Sequence, residues 1–293
     1  MAPVFMMTIF IAVLCSVQGR STGKASFERS EEDMEIDSTS TNSIEEDEYS
    51  ASTLIEKANR NLGQRLDEPL VMFGDIAVDT GFMNADPCTA RGCKWQKSSD
   101  GNVNVPFVIS NEYSARERSV IESALQTFAA STCIRFFPRT NQRDFACYTC
   151  LFCFSFIGRR GNGQVVSLSR NGCVFLSVVQ HELLHALGFN HEQTRSDRDS
   201  NVQILIQNII PGMEFNFRKI NTINLGTPYD YNSVMHYSRF AFSRNRQPTI
   251  LPIPDNNVVI GRATQMSPTD ILRINRLYNC SKCYFRNTCL LYL

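Results

Sequence analysis

Three of the chain's four histidines fall within eleven residues, His181-Glu182-Leu183-Leu184-His185-Ala186-Leu187-Gly188-Phe189-Asn190-His191; the fourth is His236. On a helix, residues four apart share a face and rise about 6 Å, so His181 and His185 can grip one ion. Paired imidazoles with a third protein ligand suit Zn²⁺, whose fourth position then stays open for water, the mark of a catalytic site. Gly188 can stop the helix in a left-handed conformation without steric cost, letting the chain swing back to present His191. Glu182, beside the first ligand, is placed to accept a proton from that water. A lone histidine is usually a packing residue, but three at ligand spacing with Glu and Gly in place point to metal-assisted hydrolysis.

The elements that must hold these residues are legible in outline. The zinc helix is expected from about Phe175 to Leu187, and a longer one over 114–131 with Val120, Ile121, Leu125 and Phe128 on one face. A third should begin at 267–270, where Ser267 and Asp270 fit a capping box and Pro268 the first helical position. Strands are expected at 103–110, 132–139, 151–158 and 164–169. Leu54, Ile55, Ala58 and Leu62 suit a short amphipathic helix, and 71–78 reads as an extended segment broken at Gly74. Strands and helix early, helix and loop late, give an α+β fold.

The 293 residues carry 29 acidic and 29 basic side chains, but unevenly. Residues 20–83 hold 15 acidic and 6 basic residues, a net charge of −9, and residues 84–293 hold 14 and 23, a net charge of +9. Two such parts attract one another. The apolar run at 4–17, followed by Val17 and Gly19, reads as a secretory signal peptide over residues 1–19, too short for a comfortable membrane span. Of eleven cysteines, removal of Cys15 leaves ten, an even number consistent with a disulfide framework in an extracellular protein. Residues 20–50 are too polar to bury a core and should be disordered. No basic cluster with stacking aromatics favours nucleic acid.

The histidine motif is the metzincin signature, and Ser233-Val234-Met235-His236-Tyr237 supplies the turn, with Met235, that it requires downstream. Phe189-Asn190-His191-Glu192-Gln193-Thr194-Arg195-Ser196-Asp197-Arg198-Asp199 resembles the astacin family's extension of the motif, and Asn84 to Trp95 looks like the mature start of the six-cysteine astacins known as fish hatching enzymes. The resemblance spans about residues 70–280. It implies a two-lobed catalytic domain over 84–280, with a twisted sheet and helices above a cleft and a less regular half below. It further implies His181, His185 and His191 as ligands of one Zn²⁺, Glu182 as general base and acid, and Tyr237 as a resting ligand that swings to the oxyanion. Phe73-Gly74-Asp75 resembles the family's propeptide motif, so residues 20–83 would be an acidic propeptide with Asp75 as zymogen switch. Cleavage before Asn84 by an activating protease would bring the new amine to Glu192.

The same resemblance implies disulfides Cys88–Cys93, Cys133–Cys280 and Cys153–Cys173, and leaves Cys147, Cys150, Cys283 and Cys289 with their pairing open. Residues 281–293 form a short Cys-containing tail that fits no known module. The expected protein is a secreted, monomeric zinc endopeptidase without stable membrane association. Its substrates would be proteins, among them egg-envelope or matrix glycoproteins. The rival readings are an astacin of digestive or matrix-processing duty and a secreted binding protein on a degenerate fold, which the intact Glu182 disfavours. An extended substrate is expected to add as a strand near 164–169.

Overall fold

The computed structural model describes residues 49–63, 69–78, 92–284 and 288–290. The expected signal peptide, the acidic run before Tyr49, Asn84 and Cys88 lie outside the described residues.

Among the described residues the first element is helix α1 (Ala51–Ala58), capped by Ser50, whose hydroxyl accepts from Thr53 N–H. Strands β1 (Leu70–Met72) and β2 (Ile76–Val78) follow as an antiparallel pair, then β3 (Val103–Ile109) and α2 (Ala115–Ser131). Ser114 and Glu117 form a capping box for α2, whose Ile121, Ala124, Leu125 and Phe128 are buried while Val120 lies half-buried. Strands β4 (Ile134–Pro138), β5 (Phe145–Thr149), β6 (Phe154–Phe156) and β7 (Gly163–Ser167) complete a seven-stranded mixed sheet in the order β1-β2-β6-β7-β5-β3-β4. Helix α3 (Leu176–Ala186) packs with α2. Together with the sheet they enclose a core that includes Val103, Phe128, Ile134, Tyr148, Val166, Leu183 and Leu184.

Between α3 and the last helix the described chain is mostly loop and short 3-10 turns, with a small antiparallel pair, β8 (Val202–Ile204) and β9 (Ile250–Pro252). Val202, Ile209, Phe217, Tyr237, Ile250 and Ile260 form a second, smaller core. Helix α4 (Pro268–Leu277) carries the expected Ser267–Asp270 capping box, and a backbone hairpin, β10 (Lys282–Tyr284) with β11 (Thr288–Leu290), follows it. The α+β, two-lobed expectation holds. Among the described residues no helix is long and apolar enough to cross a membrane.

Two local expectations need correction. The segment 151–158 forms only the three-residue β6, while an unexpected strand, β5, precedes it. Segment 164–169 mostly forms β7, which lies between β5 and β6 and offers no free edge; β6 is the neighbour that β2 meets.

Cys133–Cys280 and Cys153–Cys173 are formed as expected. Cys93 is disulfide-bonded, its expected partner Cys88 being outside the described residues. Cys150 keeps its thiol, which donates to Glu112 Oε2 at 2.6 Å. Positions 283 and 289, both cysteine, are backbone partners in the β10–β11 register.

Candidate metal centre

Helix α3 sets His181 and His185 one turn apart on its buried face, both at 1% exposure or less. Gly188 ends the helix with φ of 106°, and its N–H donates to His185 O while Phe189 N–H donates to Leu184 O. That reversal brings His191 back against the two helical rings, 4.7 Å from His185 and 5.2 Å from His181 between ring centres.

Asp75 fills the space between them. Its Oδ2 lies 2.9 Å from His181 Nε2, and its Oδ1 lies 3.1 Å from His191 Nε2 and 3.4 Å from His185 Nε2. The outer nitrogens are tied: His181 Nδ1–H donates to Val234 O at 2.8 Å and His185 Nδ1–H to Phe189 O at 2.7 Å. A carbonyl accepts only from a protonated nitrogen, so both Nε2 atoms turn bare lone pairs inward. One ligand atom from each of Asp75, His181, His185 and His191 lies within 4.8 Å of all the others. Ligands at the corners of a zinc tetrahedron with arms of about 2.0–2.1 Å stand roughly 3.3–3.4 Å apart. The observed spacing of these buried ligand atoms, with the lone pairs of His181 and His185 turned inward beside a carboxylate, fits a divalent cation.

Burial disfavours charge on His185 and His191, and although Asp75 opposes this, His185 is lowered and His191 falls to about 4. Burial thus favours in His185 and His191 the neutral form that ligation requires. Glu182, fully buried, has neither carboxylate oxygen hydrogen-bonded; burial first, then the charge of Asp75, push its pKa well above normal. Tyr237 packs its ring 4.7 Å from His191, and its hydroxyl donates to Phe73 O. Met235 is buried in the same core as Leu183 and Leu184, and its carbonyl accepts from Glu192 N–H.

The Asp75 turn is locally demanding. Phe73 and Gly74 have φ of 50° and 81°, and a Cβ on Gly74 would come within 3.1 Å of Phe242 Cζ and 3.3 Å of the Tyr237 hydroxyl. Asp75 O accepts from Ser155 N–H at 3.0 Å, and from there β2 runs parallel to β6. Helix α1 docks beside it: Ser52 Oγ accepts from Ser238 N–H, and Glu56 Oε1 from Phe242 N–H. Asn59 Nδ2 donates to Gly74 O at 2.9 Å and to Cys153 O at 2.5 Å, while its Oδ1 accepts from Cys153 N–H at 2.9 Å. None of these anchors bears a sequence signal.

Glu192 does not stand open for an incoming amine. Arg273 grips both its oxygens at 2.6 and 2.8 Å, Arg195 approaches at 3.3 Å, and Asp230 N–H donates to Oε1. A cavity of about 80 Å³ lies against this group, lined by Asn190, Arg195, Asn224 and Arg273 among others.

Residues 92–279 match the family model described as Astacin (Peptidase family M12A). High choriolytic enzyme 1 of Oryzias latipes is 49% identical over 231 residues, covering 78% of this chain and 83% of that protein. Low choriolytic enzyme of the same fish is 47% identical over 232 residues, with coverage of 78% and 83%. The solved structure of high choriolytic enzyme 1, described as a hatching enzyme zinc-protease from medaka, superposes with a TM-score of 0.64 at 52% identity, covering 67% of this chain and all of that one.

Proposed function

The chain belongs to the astacin family and is a zinc metalloendopeptidase, and on that premise we propose that it is secreted as a latent precursor whose trimmed form cleaves egg-envelope protein. The observation that carries the latency is the Asp75 carboxylate seated among His181, His185 and His191, where a substrate carbonyl and water would have to come. Residues 20–83 are the propeptide and residues 84–280 the catalytic domain; the leader is residues 1–19 and the tail begins at Ser281.

His181, His185 and His191 would hold the ion, and Asp75 would stay among them until a protease cuts before Asn84. A bound Zn²⁺ supplies a Lewis acid and an acidified water. Departure of Asp75 removes the negative charge beside Glu182, which then takes a proton from water and returns it to the leaving amine. Tyr237, freed from Phe73, donates to the developing oxyanion. An extended substrate takes the place of β2 along β6. The new amine of Asn84 enters the cavity beside Glu192 and shares its carboxylate with Arg273. The egg-envelope assignment rests on the choriolytic relatives, and the +9 charge of residues 84–293 suits acidic glycoprotein.

The test uses the secreted chain, uncut and cut before Asn84, on casein and on isolated egg envelopes. Only the cut chain should digest both, chelation should abolish this, and Glu182→Ala should keep zinc while losing roughly a hundredfold or more in turnover. Equal activity of the uncut chain would refute latency; casein digestion with intact envelopes would refute the substrate.

A further inference from the structure

We propose that Asp270 is a positioning residue for the metal centre, acting through the Ser233–Met235 turn on His181; the proposal rests on the zinc reading above. A capping-box acid serves the first turn of its own helix by reaching back to the N-cap N–H. Asp270 does that by accepting from Ser267 N–H at 2.9 Å, yet it is only 2% exposed and its remaining bonds go elsewhere. Its Oδ1 accepts from the Ser233 hydroxyl at 2.7 Å, and Oδ2 accepts also from Val234 N–H at 3.0 Å. The cation of Arg273 stands off at 4.0 Å and makes its short bonds to Glu192, Thr227 and Pro228.

The hydrogen bonds form a directed chain. Ser233 Oγ, donating to Asp270, accepts from Met235 N–H at 3.1 Å. That N–H belongs to the Val234–Met235 peptide, whose carbonyl accepts from His181 Nδ1–H at 2.8 Å. Each bond polarises the next toward greater basicity at the Val234 oxygen, since every donor along the chain has its own partner. Asp270 thus acts as the carboxylate of a carboxylate–histidine–metal arrangement with a hydroxyl and one peptide unit interposed. It fixes the turn, the turn fixes the tautomer and orientation of His181, and the inward Nε2 lone pair is held on the ion.

The experiment compares Asp270→Asn, Ser233→Ala and Ser267→Ala in the full chain. It measures zinc affinity by chelator competition and the thermal midpoint of the metal-free protein. Asp270→Asn and Ser233→Ala should bind zinc about 10–100-fold more weakly. Ser267→Ala, which weakens the α4 cap but leaves the turn's bonds to Asp270, should bind as wild type does while losing thermal stability. Wild-type affinity in folded Ser233→Ala or Asp270→Asn overturns the proposal, as does an equal loss in Ser267→Ala. Should Asp270→Asn not fold, Ser233→Ala decides alone. A wild-type chain that binds no zinc would sink the metal reading itself, a result distinct from unaltered affinity in the variants.

Discussion

The side-chain amide of Asn59 pairs with both the N–H and the C=O of Cys153, as a neighbouring strand residue would, while holding Gly74 O with the same nitrogen. One side chain therefore ties the end of α1, the turn bearing Asp75 and the beginning of β6. Asn59→Leu should loosen this segment without touching the imidazoles. Three bonds at about 1 kcal/mol each correspond to roughly a hundredfold larger opened population. Limited proteolysis of residues 59–78 in the uncut chain measures it, and resistance equal to wild type would dismiss the clamp.

Asp75→Ala should give an uncut chain with measurable hydrolysis of a small fluorogenic peptide, below that of the cut chain because β2 still lies along β6; among the described residues Asp75 is the one carboxylate grouped with the three imidazoles. Gly74→Ala should act in the same direction, since alanine resists φ of 81° and its methyl meets Phe242 and Tyr237. Its activity before cutting should lie between wild type and Asp75→Ala. Full silence of both uncut variants would remove Asp75 from the latency mechanism.

Arg273→Leu leaves the buried Glu192 carboxylate with only Arg195 and a backbone donor. Losing one partner of a buried pair costs about 3–5 kcal/mol. Urea unfolding should show a loss of that order, and Arg273→Leu with Glu192→Gln should recover part of it. A single variant as stable as wild type would show that the pair contributes nothing.

His236 is fully buried, its Nδ1–H donating to Tyr237 O and its Nε2 accepting from the Tyr229 hydroxyl. Burial lowers its pKa to about 4. The unfolded chain, with an ordinary value near 6.5, binds the proton first on acidification, so stability is complete above that value and falls toward 4. The loss from this group between pH 7 and pH 5 should be about 2 kcal/mol. His236→Gln should show a shallower decline in urea midpoint over that interval, measured on metal-free protein beside wild type. Parallel declines would exclude His236 as the source.

The candidate zinc ligands were legible because their spacing is local: two residues on one helical face, a glycine, and a third three positions on. The helices were legible for the same reason, through periodicity and capping residues. Strand β5 was missed because Phe145–Thr149 has no clear alternation, and the adjacent apolar run at 151–158 drew the assignment. β8 and β9, three residues each, are too short to show a pattern. Asn59 with Cys153 and Arg273 with Glu192 join positions 94 and 81 apart, and a single polar residue at such a distance announces no partner. Asp270 was visible as a helix cap, but not as a support for the turn 36 residues earlier.

Cys153, the residue grasped by Asn59, is also bridged to Cys173 just ahead of the helix bearing His181 and His185. The grip is thus anchored on a fixed wall, and whatever yields must be the removable strap. On the latent-precursor reading, severing the strap would leave this wall standing, and the residues left to readjust would be those the strap touches, Tyr237 foremost.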